Sequence, residues 1–179
     1  MNLYQSPPPN THVICVDEMG PTAAKTYLSA RWCETRPPVA ADYGRRGNVW
    51  TFGAFEPRTG QALTYCADGR TSAHFITLLN QLVMTWTEGT IILILDNLST
   101  HKTLDVLLWA LAHPRVHFLF QPTYAPWLNL IEPWWKTLRS LALKGCCFLD
   151  ATQIIQAIQA ATDYWNDHRH PYEWRRAFN

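Results

Sequence analysis

Three carboxylates stand at the ends of apolar runs in this 179-residue chain. Asp17 follows the run His12–Val16, Asp96 follows Ile91–Leu95, and Glu132 lies at the start of a helical segment that comes after Val116–Phe120. Open α/β folds build their sites at the edge of a sheet, outside the strand ends. Hard divalent cations such as Mg²⁺ take carboxylate oxygens and keep positions open for water and phosphate. Two such ions about 3.5–4 Å apart clamp the attacking and leaving oxygens of a phosphoryl transfer. The residue types therefore fit that chemistry if the strands bearing Asp17 and Asp96 are neighbours and the three carboxylates converge. Each acid also has a plain structural reading. A strand-terminal Asp serves as a turn former or helix cap, and Asn129-x-x-Glu132 has the spacing of a capping box. Glu18 competes with Asp17, but strand alternation sends the two to opposite faces, so only one of them reaches a metal.

The elements that must position these acids are legible in the pattern. The run His12–Val16 reads as a buried strand stopped by the Gly20-Pro21 turn. Lys25–Cys33 reads as a second strand, and Glu34–Arg46 as a loop. Asn48–Phe55 and Ala62–Cys66 read as strands joined by a turn at Pro57–Gly60. Phe75, Leu78, Leu79, Leu82 and Val83 recur at helical spacing within Ser72–Thr85, with Thr71 or Ser72 as cap. Ile91–Leu95 and Val116–Phe120 are continuous apolar strands separated by the helical segment Leu104–Ala112. A helix begins within Asn129–Glu132 and runs to about Leu143, with Pro133 tolerated only in its first turn. The last helix spans about Ala151–Trp165. Counting three of the four early runs as an antiparallel meander, the order predicts an α/β mixed sheet, three antiparallel strands extended by two parallel ones through right-handed crossovers, flanked by helices.

Composition bounds the function. Apolar residues make up 47% of the chain, which excludes a disordered polymer. The net charge is +1, too low for a free-standing, non-specific nucleic-acid binder. Five cysteines, an odd number with no C-x-x-C pair, read as free thiols of a reducing compartment. No signal-peptide pattern opens the chain, and no apolar run reaches bilayer length. A cytoplasmic protein without a membrane partner is the expectation. The nine Trp suggest flat contact surfaces as well as core, with one of Trp134 and Trp135 in the core and the other free to stack. His168 and His170 with Asp163 and Asp167 read as a polar helix end.

The local motifs carry a resemblance. VICVDEMGP, then LILDNLSTHK, then FQPTYAPWLNLIEPWWKTLR resemble the catalytic domain of a DDE transposase, in the bacterial insertion-sequence branch of the mariner-type superfamily. The most specific parts are D-N-x-x-x-H-K (Asp96, Asn97, His101, Lys102) and P-x-x-x-P-x-L-N-x-I-E-x-x-W (Pro122 to Trp135). Thirty-five residues lie between Asp96 and Glu132, close to that family's spacing. The resemblance covers about residues 12–172. Ala125 stands where the family often has Ser, and Leu130 where it often has Pro.

The resemblance implies a ribonuclease-H-like fold and a metal-binding triad of Asp17, Asp96 and Glu132. It implies two Mg²⁺ or Mn²⁺ ions, cleavage at transposon ends, and attack of the freed 3′-hydroxyl on target DNA without a covalent protein intermediate. Lys136 and Arg139 follow Glu132 on one helical face and, with Asn97, His101, Lys102 and Asn129, are candidate DNA contacts. Arg45 and Arg46 are further candidates. The expected organisation is an extended lead-in over residues 1–11 and a catalytic domain over 12–179, without the family's helix-turn-helix module. The partners are then DNA, a second copy of the chain, and a separate recognition protein or segment. Two alternatives stay open, a stand-alone ribonuclease-H-like nuclease and an inactive remnant kept as a binding or oligomerisation module.

Overall fold

Strand β1 (Thr11–Ala23) alternates its side chains between two cores. Val13, Cys15 and Met19 enter one, whereas Ile14 and Val16 enter the other. A strand apolar on both faces must be covered on both sides, and the helices supply that cover. The structure is a computed structural model describing residues 2–24, 47–122 and 128–172. Among these residues, five strands form one sheet in the order β3-β2-β1-β4-β5. β2 (Asn48–Glu56) pairs antiparallel with both β1 and β3 (Gln61–Ala67). β4 (Thr90–Leu95) pairs parallel with both β1 and β5 (Val116–Phe120). This is the mixed sheet that the strand order predicts.

Helix α1 is a single turn, Asn2–Gln5. Helices α2 (Ser72–Thr85) and α3 (Leu104–Ala112) cover one face, packing Phe75, Leu78, Leu79, Leu82, Val106 and Trp109 against the sheet. Helices α4 (Ile131–Leu138) and α5 (Ala151–Asp167) cover the other through Ile131, Trp134, Trp135, Leu138, Ile154 and Ile158. The hydroxyl of Thr71 caps α2 by accepting from the His74 N–H at 3.3 Å. A single π-type turn, Arg139–Leu143, continues α4 as far as the sequence pattern predicts.

Several expectations are corrected. The first strand does not stop at Gly20-Pro21. It continues to Ala23, because Gly20 takes a φ of +138° that a Cβ would oppose and a register irregularity between Met19 and Thr22 absorbs the turn. Asp17 is therefore mid-strand, paired with Gly53 of β2. The lead-in is not wholly extended either. Tyr4 of α1 packs on the core, donates to the Leu128 carbonyl at 2.7 Å and lies 3.1 Å from Cys15 Sγ. Both Trp134 and Trp135 are buried, so neither is free to stack on a partner. The predicted second strand Lys25–Cys33, the loop Glu34–Arg46 with Arg45 and Arg46, and Ala125 lie outside the described residues. Leu130, in place of the family's Pro, is a buried core residue.

Gly53 sets the distance between sheet and α4 at this point. A Cβ there would lie 2.3 Å from Cη2 of the Trp135 indole, a ring that is itself fully buried. Gly53→Ala is predicted to destabilise the protein by about 1–3 kcal/mol through overpacking, read as a lower urea midpoint at unchanged slope.

Candidate active site

Parallel pairing of β1 with β4 brings the first two carboxylates together in register. The last paired positions are Cys15 and Ile94, which share one core. Asp17 and Asp96 each lie two residues further along. Beyond Leu95 the chain leaves the sheet for a short 3₁₀ turn, Ser99–Lys102, while β1 goes on beside β2. Asp17 thus sits where its parallel partner ends, although not at the end of its own strand.

Pleating sends Asp17 toward α4 and Glu18 toward α2, as alternation predicts. The Trp135 indole N–H donates to Asp17 Oδ2 at 3.3 Å. Burial pushes the Asp17 carboxyl up to about 7; the Glu18 backbone N–H opposes this, while the Glu18 and Glu132 carboxylates add to it. Glu132 stands in the first turn of α4 and is exposed. The capping-box pattern is not realised, since the Glu132 N–H donates to the Asn129 backbone carbonyl at 3.3 Å and Asn129 Oδ1 accepts from the Ile131 N–H at 3.5 Å. Asn129 also donates through Nδ2 to the Val16 carbonyl at 3.1 Å, tying the start of α4 to the strand beside Asp17.

Asp96 has other partners. Its Oδ1 accepts the Leu98 N–H at 2.9 Å and ion-pairs with His101 Nδ1 at 3.1 Å. His101 is fully buried, with its Nε2 2.8 Å from Oε1 of Glu18, itself 3% exposed. Chiefly through His101, and also through the Leu98 N–H and Arg70, the Asp96 carboxyl is held below the usual carboxylate range. Burial alone would neutralise His101, but Asp96 and Glu18 outweigh it and raise the imidazole to about 9.

The expected convergence into a ready-made metal cluster is not seen. Among the described residues, no three His, Cys, Asp or Glu side chains are arranged to hold an ion. Like-charged carboxylates repel, and Asp17 and Asp96 each have another partner in Trp135 and His101. The donor set nevertheless fits a hard divalent cation. It is carboxylate oxygen throughout, and the Asp17 charge is opposed by burial and by two further carboxylates.

The residues assigned to DNA contact divide. Lys102, Lys136 and Arg139 are exposed. Asn97 is exposed but engaged, donating to the Gln121 carbonyl and accepting from Lys102 Nζ. His101 and Asn129 are corrected, because both are buried and hydrogen-bonded within the fold. The sequence alone did not show the roles of three residues. Glu18 is a buried partner of His101, Trp135 donates to Asp17, and Arg70 adds positive potential at Asp96. Only the D-E dipeptide of the first motif hinted at Glu18. The strength of Arg70's claim rests on the fold, which carries the end of β3 toward Asp96.

The Asp17 shift has a stability consequence. Its folded pKa is raised above the ordinary carboxyl value, so its contribution is fully present below about pH 4 and is lost as pH rises through about 7. With divalent ions chelated, Asp17→Asn is predicted to raise Tm at about pH 8, by about 2–4 °C for each kcal/mol of charge burial relieved. The gap narrows at about pH 5. Equal Tm values at both pH values would contradict this electrostatic picture.

Comparison with known proteins identifies the family and the fold. Residues 12–155 match the family described as DDE superfamily endonuclease. The insertion element IS630 uncharacterized 39 kDa protein of Shigella sonnei is 31% identical over 115 residues, covering 57% of this chain and 34% of that protein. The chain thus matches about a third of that curated relative's length. Among solved structures, the HTLV-2 integrase catalytic core domain in complex with magnesium aligns with a TM-score of 0.58 at 14% identity, over 88% of this chain and 84% of that one. The BIV integrase catalytic core gives 0.57 at 14% identity, over 89% and 86%. A simian T-cell lymphotropic virus intasome gives 0.63 at 13% identity, over 96% and 57%. Such likenesses establish a ribonuclease-H-like fold. With its family match spanning most of its length, this chain belongs to the DDE superfamily endonucleases.

Proposed function

We propose that this chain is the catalytic domain of a DNA transposase of the insertion-sequence type, with Asp17, Asp96 and Glu132 as the metal-binding triad. The observation that carries the reading is the β1–β4 register, which sets Asp17 and Asp96 at matching positions beyond a parallel pair, with Glu132 close enough to influence the Asp17 charge. Divalent cations bound there, two Mg²⁺ or Mn²⁺ ions in this reading, supply Lewis-acid assistance to phosphodiester hydrolysis and strand transfer. The chain's own residues do the rest. Trp135 orients Asp17, His101 restrains Asp96, and the start of α4 is latched to β1 through Asn129. Lys136 and Arg139 lie four and seven residues after Glu132 on α4 and the turn beyond it, exposed and suited to phosphate.

The substrates in this reading are transposon ends and target DNA. Recognition of the ends falls to a helix-turn-helix segment or protein, and joining of paired ends calls for two copies of the chain. No helix among the described residues is long and apolar enough to cross a membrane, and the site of action is the cytoplasm. Binding of DNA by this domain alone is weak and falls steeply with salt.

A strand-transfer assay with pre-cleaved element ends, Mg²⁺ or Mn²⁺ and target DNA tests the reading. The expected result is joined product that disappears in Asp96→Ala. Cleavage without joining would make the chain a nuclease, and inertness of a folded protein beside a bound partner would make it a non-catalytic module.

A further inference from the structure

Both anchors on Asp96 act on the same oxygen. The Leu98 N–H and His101 Nδ1 lie 2.9 and 3.1 Å from Oδ1, and the Asp96 side chain is 51% exposed. His101 itself is placed by contacts from other elements. Its ring lies 4.3 Å, centroid to centroid, from Phe75 of α2, and Nε2 is 2.8 Å from Glu18 Oε1 of β1. Neither His101 nor Glu18 reaches solvent enough to touch DNA, since their side chains are 0% and 3% exposed. Resting on the reading of Asp96 as a metal ligand, we propose that Glu18 and His101 are positioning residues. Glu18 orients the imidazole, and the imidazole pins Asp96 Oδ1, leaving Oδ2 directed to the cation.

The arrangement has a mechanical logic. Asp96 lies just past the end of β4, where the sheet no longer fixes the backbone. A carboxylate there swings freely unless something holds it. The Glu18–His101 pair ties it back to β1, the strand that also carries Asp17, so two acids on different strands share one support. Glu18 and Asp17 are adjacent and point to opposite faces, which gives one dipeptide two tasks. Metal ligands in proteins are commonly fixed in this way by outer partners, whose removal costs roughly 10–100-fold in metal affinity or activity.

Two isosteric replacements separate positioning from folding. Asn at 101 can place an amide donor near the Nδ1 position and loses the reach to Glu18. Gln at 101 can place its amide near the Nε2 position and loses the donor to Asp96. The full chain would be titrated with Mn²⁺ by calorimetry, below the Tm of every variant, with folding checked by circular dichroism. The expected order of affinity is unaltered protein, then His101→Asn, then His101→Gln, with roughly 10–100-fold lost at the last step. Glu18→Gln, which keeps an acceptor for the ring, should retain more affinity than Glu18→Ala. In an Asp96→Ala background, His101→Gln should cost nothing further. Should the position-101 variants fail to fold, the two Glu18 variants decide the matter by the same ranking. Folded variants that all bind Mn²⁺ within twofold of the unaltered protein would overturn the positioning role. If Asp96→Ala itself leaves Mn²⁺ affinity unchanged, it is the triad assignment that fails.

Discussion

The parallel pairing of β1 with β4 is the constraint on which the rest depends. Register in a sheet is all or nothing, because a slip of one residue turns every side chain to the other face. With Cys15 opposite Ile94, the two strands share alternation, and Ile14 and Leu93 enter one core while Cys15 and Ile94 enter the other. Both cores therefore reinforce a single register. That register sets Asp17 and Asp96 at matching positions where β4 ends, and a one-residue slip would break the match.

Charge is the cost of this arrangement. Asp17, partly buried, and the buried Glu18 are consecutive residues, and Glu132 adds to the same field. The fold divides the burden between its faces. On the α2 side, the Glu18 charge is matched by a raised His101 imidazole that also serves Asp96. On the α4 side, the donors to Asp17 among the described residues are neutral, the Trp135 indole and a backbone N–H, and burial raises its carboxyl to about 7. One acid has a cationic partner within the protein, and the other has neutral donors. Active sites commonly hold such unresolved charge, which trades stability for function.

Much of this was legible in the chain itself. Apolar runs gave strands β4 and β5, and the helical spacing of Phe75, Leu78, Leu79 and Leu82 gave α2 within a residue of its ends. What failed had physical causes. Gly20-Pro21 reads as a stop, yet a bulge lets β1 pass through it, because β2 keeps pairing on both sides. His101 reads as a candidate DNA contact, but its charge partners come from β1 and from the end of β4, and only tertiary structure brings these together. Only one of Trp134 and Trp135 reads as core, whereas both are buried, and the absence of a side chain at Gly53 makes room for Trp135. Motif spacing singled out three acids as candidates, and long-range packing determined what each one touches.

The central claim is that Asp17, Asp96 and Glu132 together take up a divalent cation at the end of the β1–β4 pair. Anomalous diffraction from crystals of this chain soaked in Mn²⁺ tests it most directly. The account predicts a manganese peak within coordination distance of carboxylate oxygens from all three residues, with Asp96 bound through Oδ2. A saturating soak that leaves the three carboxylates without manganese, or places the ion on other residues, would contradict it.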